Sequence, residues 1–169
     1  LELSQKALAM DDTLPLAHAH LAELQKNRGQ YETAIAESRK AIALGPNHGL
    51  VQMLLANNLA EAGRPDQAIP LFKTAMGLHP CYPAVYLLFL GEAYLRAGRH
   101  EAAFQTYEMC LKRSRNGELP VHIPLKGLLL SCMESGRVSE AQQHAKELFQ
   151  LKPSFSLTGL VNVWGIYKE

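Results

Sequence analysis

The sequence has almost no excess of charge. Seventeen lysines and arginines face 16 aspartates and glutamates, a formal net charge of +1 over 169 residues. That balance removes the electrostatic reason to expect nucleic acid or an anionic membrane surface as partner. Cysteine is scarce and odd in number (Cys81, Cys110, Cys132), with no CxxC. This fits a reducing compartment such as the cytoplasm, where thiols stay free. Cys110 and Cys132 fall on apolar helical faces and read as small buried hydrophobes, whereas Cys81 falls in an expected turn. The longest apolar run, Ala84 to Leu90, is far too short to span a bilayer. Runs of β-branched residues are missing, and with them the material for strands.

Sequence signatures of chemistry are missing too. There is no HExxH, no GxxxxGK[ST], no GxGxxG, no acidic calcium-loop pattern and no nucleophile elbow. The seven histidines are His18, His20, His48, His79, His100, His122 and His144. His18 and His20 are two apart and so point to different faces of a helix. His48 and His79 fall in similar turns, and acidic pairs such as Glu32 and Glu37 read as solvated helix surface. No catalytic, cofactor-binding or metal-binding residue is expected.

What the sequence does have is apolar content of 47%, enough for a real core, and an internal period. Asn27-Arg28-Gly29-Gln30, Glu61-Ala62-Gly63-Arg64, Arg96-Ala97-Gly98-Arg99 and Glu134-Ser135-Gly136-Arg137 align, with glycines 34, 35 and 38 residues apart. An alanine follows each glycine by five: Ala34, Ala68, Ala103 and Ala141. Pro46, Pro80 and Pro153 mark the ends of units. A glycine takes the left-handed conformation that ends a helix. The alanine lets the next helix approach closely, and the proline stops it.

Apolar residues between these markers recur at i, i+3, i+4 and i+7, the helical pattern. Helix pairs are expected at 15–28 with 31–44, 49–62 with 65–78, 84–97 with 100–113, and 122–135 with 138–151. Residues 1–10 read as the second helix of a truncated repeat, and 156–164 as one more first helix. The chain opens inside a helix, so it is expected to be a piece of a longer protein. Pro70 falls inside a helix and predicts a bend. The longer last interval predicts a loop insertion at Asn116-Gly117-Glu118-Leu119-Pro120.

These markers resemble the tetratricopeptide repeat. The first-helix pair of a large and a small residue is Leu21-Ala22, Leu55-Ala56 and Leu90-Gly91, with Leu128-Leu129 departing from it. The alanine-aromatic-alanine series of the second helix is Ala68-Phe72-Ala75 and nearly Ala103-Tyr107-Cys110, while Ala34-Ser38-Ala41 lacks the aromatic. The resemblance covers essentially the whole chain. It implies an all-α, right-handed solenoid of antiparallel helix pairs in a single domain. Its repeats would be 15–48, 49–83, 84–121 and 122–155, flanked by partial units 1–14 and 156–169. A looser resemblance, best over 80–169, is to the repeat region after the catalytic domain of some bacterial class III adenylate or guanylate cyclases. It rests on Tyr82-Pro83 before Tyr86-Leu87-Leu88-Phe89-Leu90-Gly91, and on Pro153-Ser154-Phe155-Ser156-Leu157 with Tyr167-Lys168.

By the first resemblance, first helices line a concave groove that binds a protein or peptide. In register these positions are Leu16, Ala19, Glu23 and Asn27, then Leu50, Met53, Asn57 and Glu61. They continue with Val85, Leu88, Glu92 and Arg96, and end with Ile123, Lys126, Leu130 and Glu134. Met53, Leu88 and Leu130 are expected to take apolar side chains, and Asn57 a backbone amide. Glu23 and Glu92 argue against a clamp for a C-terminal carboxylate. Leu157, Leu160, Val161 and Trp164 form a terminal apolar stripe that needs covering. A homodimer through the terminal helices, regulating an attached enzyme such as a cyclase, is the alternative it suggests.

Overall fold

The computed structural model describes residues 11–154 together with Lys6. Among them are helices and turns and no strand. The helices are α1 Pro15–Lys26, α2 Tyr31–Leu44, α3 Gly49–Glu61, α4 Pro65–Leu78, α5 Val85–Arg96, α6 His100–Arg115, α7 His122–Glu134 and α8 Val138–Leu151. The expected all-α class of helix pairs is what forms. The chain packs as two compact units that divide between Tyr82 and Pro83. The first holds α1–α4 and the second α5–α8. The helix expected over 1–10, Lys6 apart, and the partial helix over 156–169 with Leu157, Leu160, Val161 and Trp164 lie outside the described residues.

Each pair is turned by the same backbone device. Gly29, Gly63, Gly98 and Gly136 have φ of 75°, 78°, 68° and 70°, in the left-handed region that costs a residue with a Cβ roughly 1–2 kcal/mol. The amide after each glycine donates back five residues: Gln30 to Gln25, Arg64 to Leu59, Arg99 to Tyr94 and Arg137 to Cys132, at 2.9–3.0 Å. These bonds satisfy carbonyls that the helix end would leave without partners. Two of the arginines that come after a glycine also reach sideways. Arg64 pairs with Glu32 in the first unit, and Arg137 with Glu101 in the second.

The insertion expected at 116–120 forms turns and bends, as its sequence reading has it. What differs is the helix before it: α6 runs two residues past its expected end, to Arg115, and Gly117 follows with φ 91°. The Arg113 Nε donates to Glu118 Oε1 at 2.7 Å, and the Ala84 amide donates to Glu118 Oε2 at 3.2 Å. Glu118 thus ties the loop to the start of α5. Arg113, followed by burial and the Ala84 amide, sets its balance and holds its carboxyl below the usual range. Pro70 is exposed inside a continuous α4, where it has no amide to donate to the helix ladder.

The position four residues after each repeated alanine decides how neighbouring first helices pack. It is Ser38, Phe72, Tyr107 and Ala145 in turn. Ser38 is small, and Asn58 of α3 fills the space by donating to its hydroxyl at 2.8 Å, both side chains being buried. Tyr107 is large and fully buried, and the facing helices retreat to glycine. A Cβ built on Gly91 would lie 2.8 Å from the Tyr107 ring, and one on Gly127 closer still. The ring is therefore sandwiched between α5 and α7. Its hydroxyl is buried without a hydrogen-bond partner.

Glu37 is a correction to the sequence reading, since it is not a solvated surface residue. Its Oε2 lies 2.7 Å from Nδ1 of buried His18 and joins α1 to α2, while its Oε1 accepts from Lys40 at 2.7 Å. Burial pushes the Glu37 carboxyl up, but bonds from Lys40 and His18 outweigh it and leave the pKa below its ordinary value.

Gly127→Ala should overpack the Tyr107 slot and lower stability by about 1–3 kcal/mol in urea unfolding. Tyr107→Phe should raise stability by roughly 1 kcal/mol, because an unpaired buried hydroxyl is removed; a loss would show that the hydroxyl has an acceptor. The Glu37 contribution is present above the unfolded carboxyl pKa of 4.5 and lost as pH falls through the lower folded value. Stability should therefore drop on acidification below about pH 4.5 less steeply in Glu37→Gln than in the wild type; equal slopes would remove Glu37 as the cause.

Candidate binding face of the first helices

In the first unit, α1 and α3 bring together three of the expected groove residues. Their centre is a fourth that sequence reasoning missed. Lys26 is only 7% exposed. Its ammonium donates to Glu23 within α1 and to Glu61 Oε1 of α3 at 3.2 Å. The same Glu61 oxygen accepts from Asn57 at 3.2 Å. Burial pulls the Lys26 pKa down, but the two carboxylates more than offset this and hold it above its ordinary value. The cluster carries two carboxylates to one ammonium, and Glu23 Oε2 is buried without a partner.

Lys26 had a signal in the sequence, three residues after Glu23 on one helical face. Its neighbour Asn27, assigned to the groove, is simply exposed. Leu16 and Leu50 stay partly or largely accessible, whereas Ala19 and Met53 are buried in the packing. Asn57 is 4% exposed, and its amide nitrogen is already engaged with Glu61.

In the second unit, Arg96 and Glu134 are exposed. Val85, Leu88, Glu92, Ile123 and Lys126 are half-buried, and Leu130 is buried. Burial, then the nearby Glu92 carboxylate, pushes the Tyr107 phenol well above its ordinary range, with Arg96 acting in the opposite sense. Desolvation and then Lys152 lower the Lys126 pKa; desolvation, Lys126 and Lys152 lower that of His122. This end of the unit is a small basic cluster.

Burial pushes the thiols of Cys110 and Cys132 up to about 11, so neither is a ready thiolate. Among the described residues, no group of three His, Cys, Asp or Glu side chains could hold a metal ion. No helix among them is long and apolar enough to cross a membrane.

The polar cluster makes a direct prediction. Lys26→Met should leave Glu23 and Glu61 without their shared cation and cost about 1–3 kcal/mol. Adding Glu23→Gln and Glu61→Gln should restore most of it. Urea unfolding of the single and triple variants checks this, and no recovery in the triple variant would show that Lys26 acts through packing of its stem instead.

Two family models match the chain, both described as tetratricopeptide repeat, over residues 16–48 and 59–119. Together they take in more than half of it. Several solved structures share the fold. PilW, a widely conserved type IV pilus biogenesis factor, is 18% identical with a TM-score of 0.82, over 96% of this chain and 76% of that one. A thermophilic tetratricopeptide-repeat protein of Thermus thermophilus is 20% identical with a TM-score of 0.74, over 97% and 86%. MamA of Desulfovibrio magneticus is 17% identical with a TM-score of 0.75, over 89% and 82%. At these identities the likeness is one of fold. No curated protein matches. The glycine-capped helix pairs, the buried alanine one turn into each second helix and the two matching models all lead to one assignment: the chain belongs to the tetratricopeptide-repeat family.

Proposed function

We infer that this chain is a protein-interaction scaffold that takes a peptide or protein segment on the face of its first helices. One observation carries the reading: Glu23, Lys26, Asn57 and Glu61 form one hydrogen-bonded cluster across two successive first helices. A polar network so placed costs desolvation and stabilises the fold little, so its use is in recognition. Two carboxylates against one ammonium favour a partner segment that brings a lysine, an arginine or amide donors. Leu16 and Leu50, accessible on the same two helices, supply apolar contact beside it. The three free thiols, with Cys81 exposed, support a reducing compartment such as the cytoplasm. The looser resemblance to the repeat region of bacterial cyclases gains no support from the related structures.

A random peptide array probed with wild type and with Glu23→Gln tests this. Bound peptides should be enriched in lysine and arginine, and their binding should fall several-fold in Glu23→Gln and with added salt. An array with no bound peptide would count against the scaffold reading. Bound peptides indifferent to Glu23→Gln would relocate the site away from this cluster.

A further inference from the structure

A cleft of about 530 Å³ lies between α6 and α8, the second helices of the second unit. Its apolar lining is Leu111 of α6 and Leu128 of α7, both buried. A space of this size, with an apolar base and a few polar groups around it, has the usual form of a small-ligand site. Two contacts join the helices that flank it. The Phe104 and His144 rings have centroids 6.4 Å apart. Arg115 Nη2 donates to both carboxylate oxygens of Glu147, at 2.9 and 3.2 Å.

The Arg115–Glu147 pair cancels one positive and one negative charge of the lining. What is left is one of each. Glu108 and Lys112 are exposed and lie one turn apart on the same side of α6. Neither enters an ion pair with a described residue. An anion alone would be drawn to Lys112 and repelled by Glu108, and a cation alone would meet the reverse. A molecule that carries both charges satisfies both at once.

A third polar group lacks a partner. His144 Nδ1 is buried without a hydrogen bond, and buried polar atoms are seldom left so unless water or a ligand serves them. Burial lowers the His144 pKa, against the pull of Glu147, Glu140 and Glu108 and with the help of Arg115. The ring is therefore neutral near neutral pH, with one nitrogen to donate and one to accept. It can meet either end of a zwitterion.

We propose that this cleft is a binding site for a small zwitterion with an apolar body, an apolar α-amino acid. Its ammonium pairs with Glu108, its carboxylate pairs with Lys112, and its side chain lies on Leu111 and Leu128. The inference does not rest on the peptide-binding reading, since it uses the second unit and none of the Glu23–Lys26–Asn57–Glu61 cluster.

Calorimetric titration of the full chain with leucine, valine, methionine and phenylalanine tests this, alongside the nuclear magnetic resonance signals of the His144 ring. At least one amino acid should bind and shift those signals. Its binding should fall several-fold in Glu108→Gln and in Lys112→Met and stay unchanged in Glu23→Gln. The helix signal in circular dichroism should be retained, because both altered side chains are exposed. The amine and the acid made by removing one charged group from the bound amino acid should each bind several-fold more weakly. No heat and no His144 shift with any of the amino acids overturns the proposal. So does binding that is indifferent to both variants. An amine or acid that binds as tightly as the amino acid overturns it in favour of a ligand of single charge. If a variant loses its helix signal, the two analogues decide alone.

Discussion

In each unit the inner second helix has first helices on both sides of it, and the packing of the unit depends on making both contacts at once. Within a unit, α2 packs against α1 and α3, and α6 against α5 and α7. A side chain on the buried face of such a helix must suit two neighbours. Ala34, Ala68 and Ala103 have no exposed surface at all, because a larger residue one turn into the helix would push the pair apart. One turn further on, size is traded across the interface. Serine is met by Asn58, and tyrosine is met by two glycines. Close packing of this kind leaves few conformations open and, within each unit, couples one repeat to the next.

That coupling explains why polar groups sit where they do. The first-helix faces not consumed by packing are free to carry charge, and in the first unit they carry a cluster centred on a nearly buried lysine. Such a cluster is satisfied only when both helices are in register, since Lys26 and Asn57 converge on Glu61 from different helices. It is a product of assembly and not of either helix alone. The Arg64–Glu32 and Arg137–Glu101 pairs are a surface counterpart, linking one repeat's turn to the preceding second helix. Exposed pairs like these contribute about 0–1 kcal/mol each, so they tune register more than they hold the fold.

Much of this was legible before any coordinates. Helix bounds follow the markers to within two residues, because a left-handed glycine and a proline each impose a backbone geometry whatever surrounds them. The insertion was legible as well: Asn116, Gly117 and Pro120 promise a turn, and 116–120 form one, with α6 running two residues further than expected before it. Charged residues were harder. Glu37 and Lys26 look like ordinary solvated surface in the sequence, and both are engaged at helix contacts. Met53, Asn57 and Leu130 share a helical face with accessible residues and are nonetheless buried.

The amino-acid sequence by itself determined the class, the period and the place of every turn among the described residues. These depend on local backbone preference and on a 3.6-residue periodicity, which are written in consecutive residues. Only the tertiary structure decided which polar side chains meet. It also decided which members of a helical face remain accessible, and that Tyr107 would lie between Gly91 and Gly127, residues 16 before it and 20 after it. Those outcomes depend on distances between atoms far apart in the chain, which exist only once one helix has packed against the next.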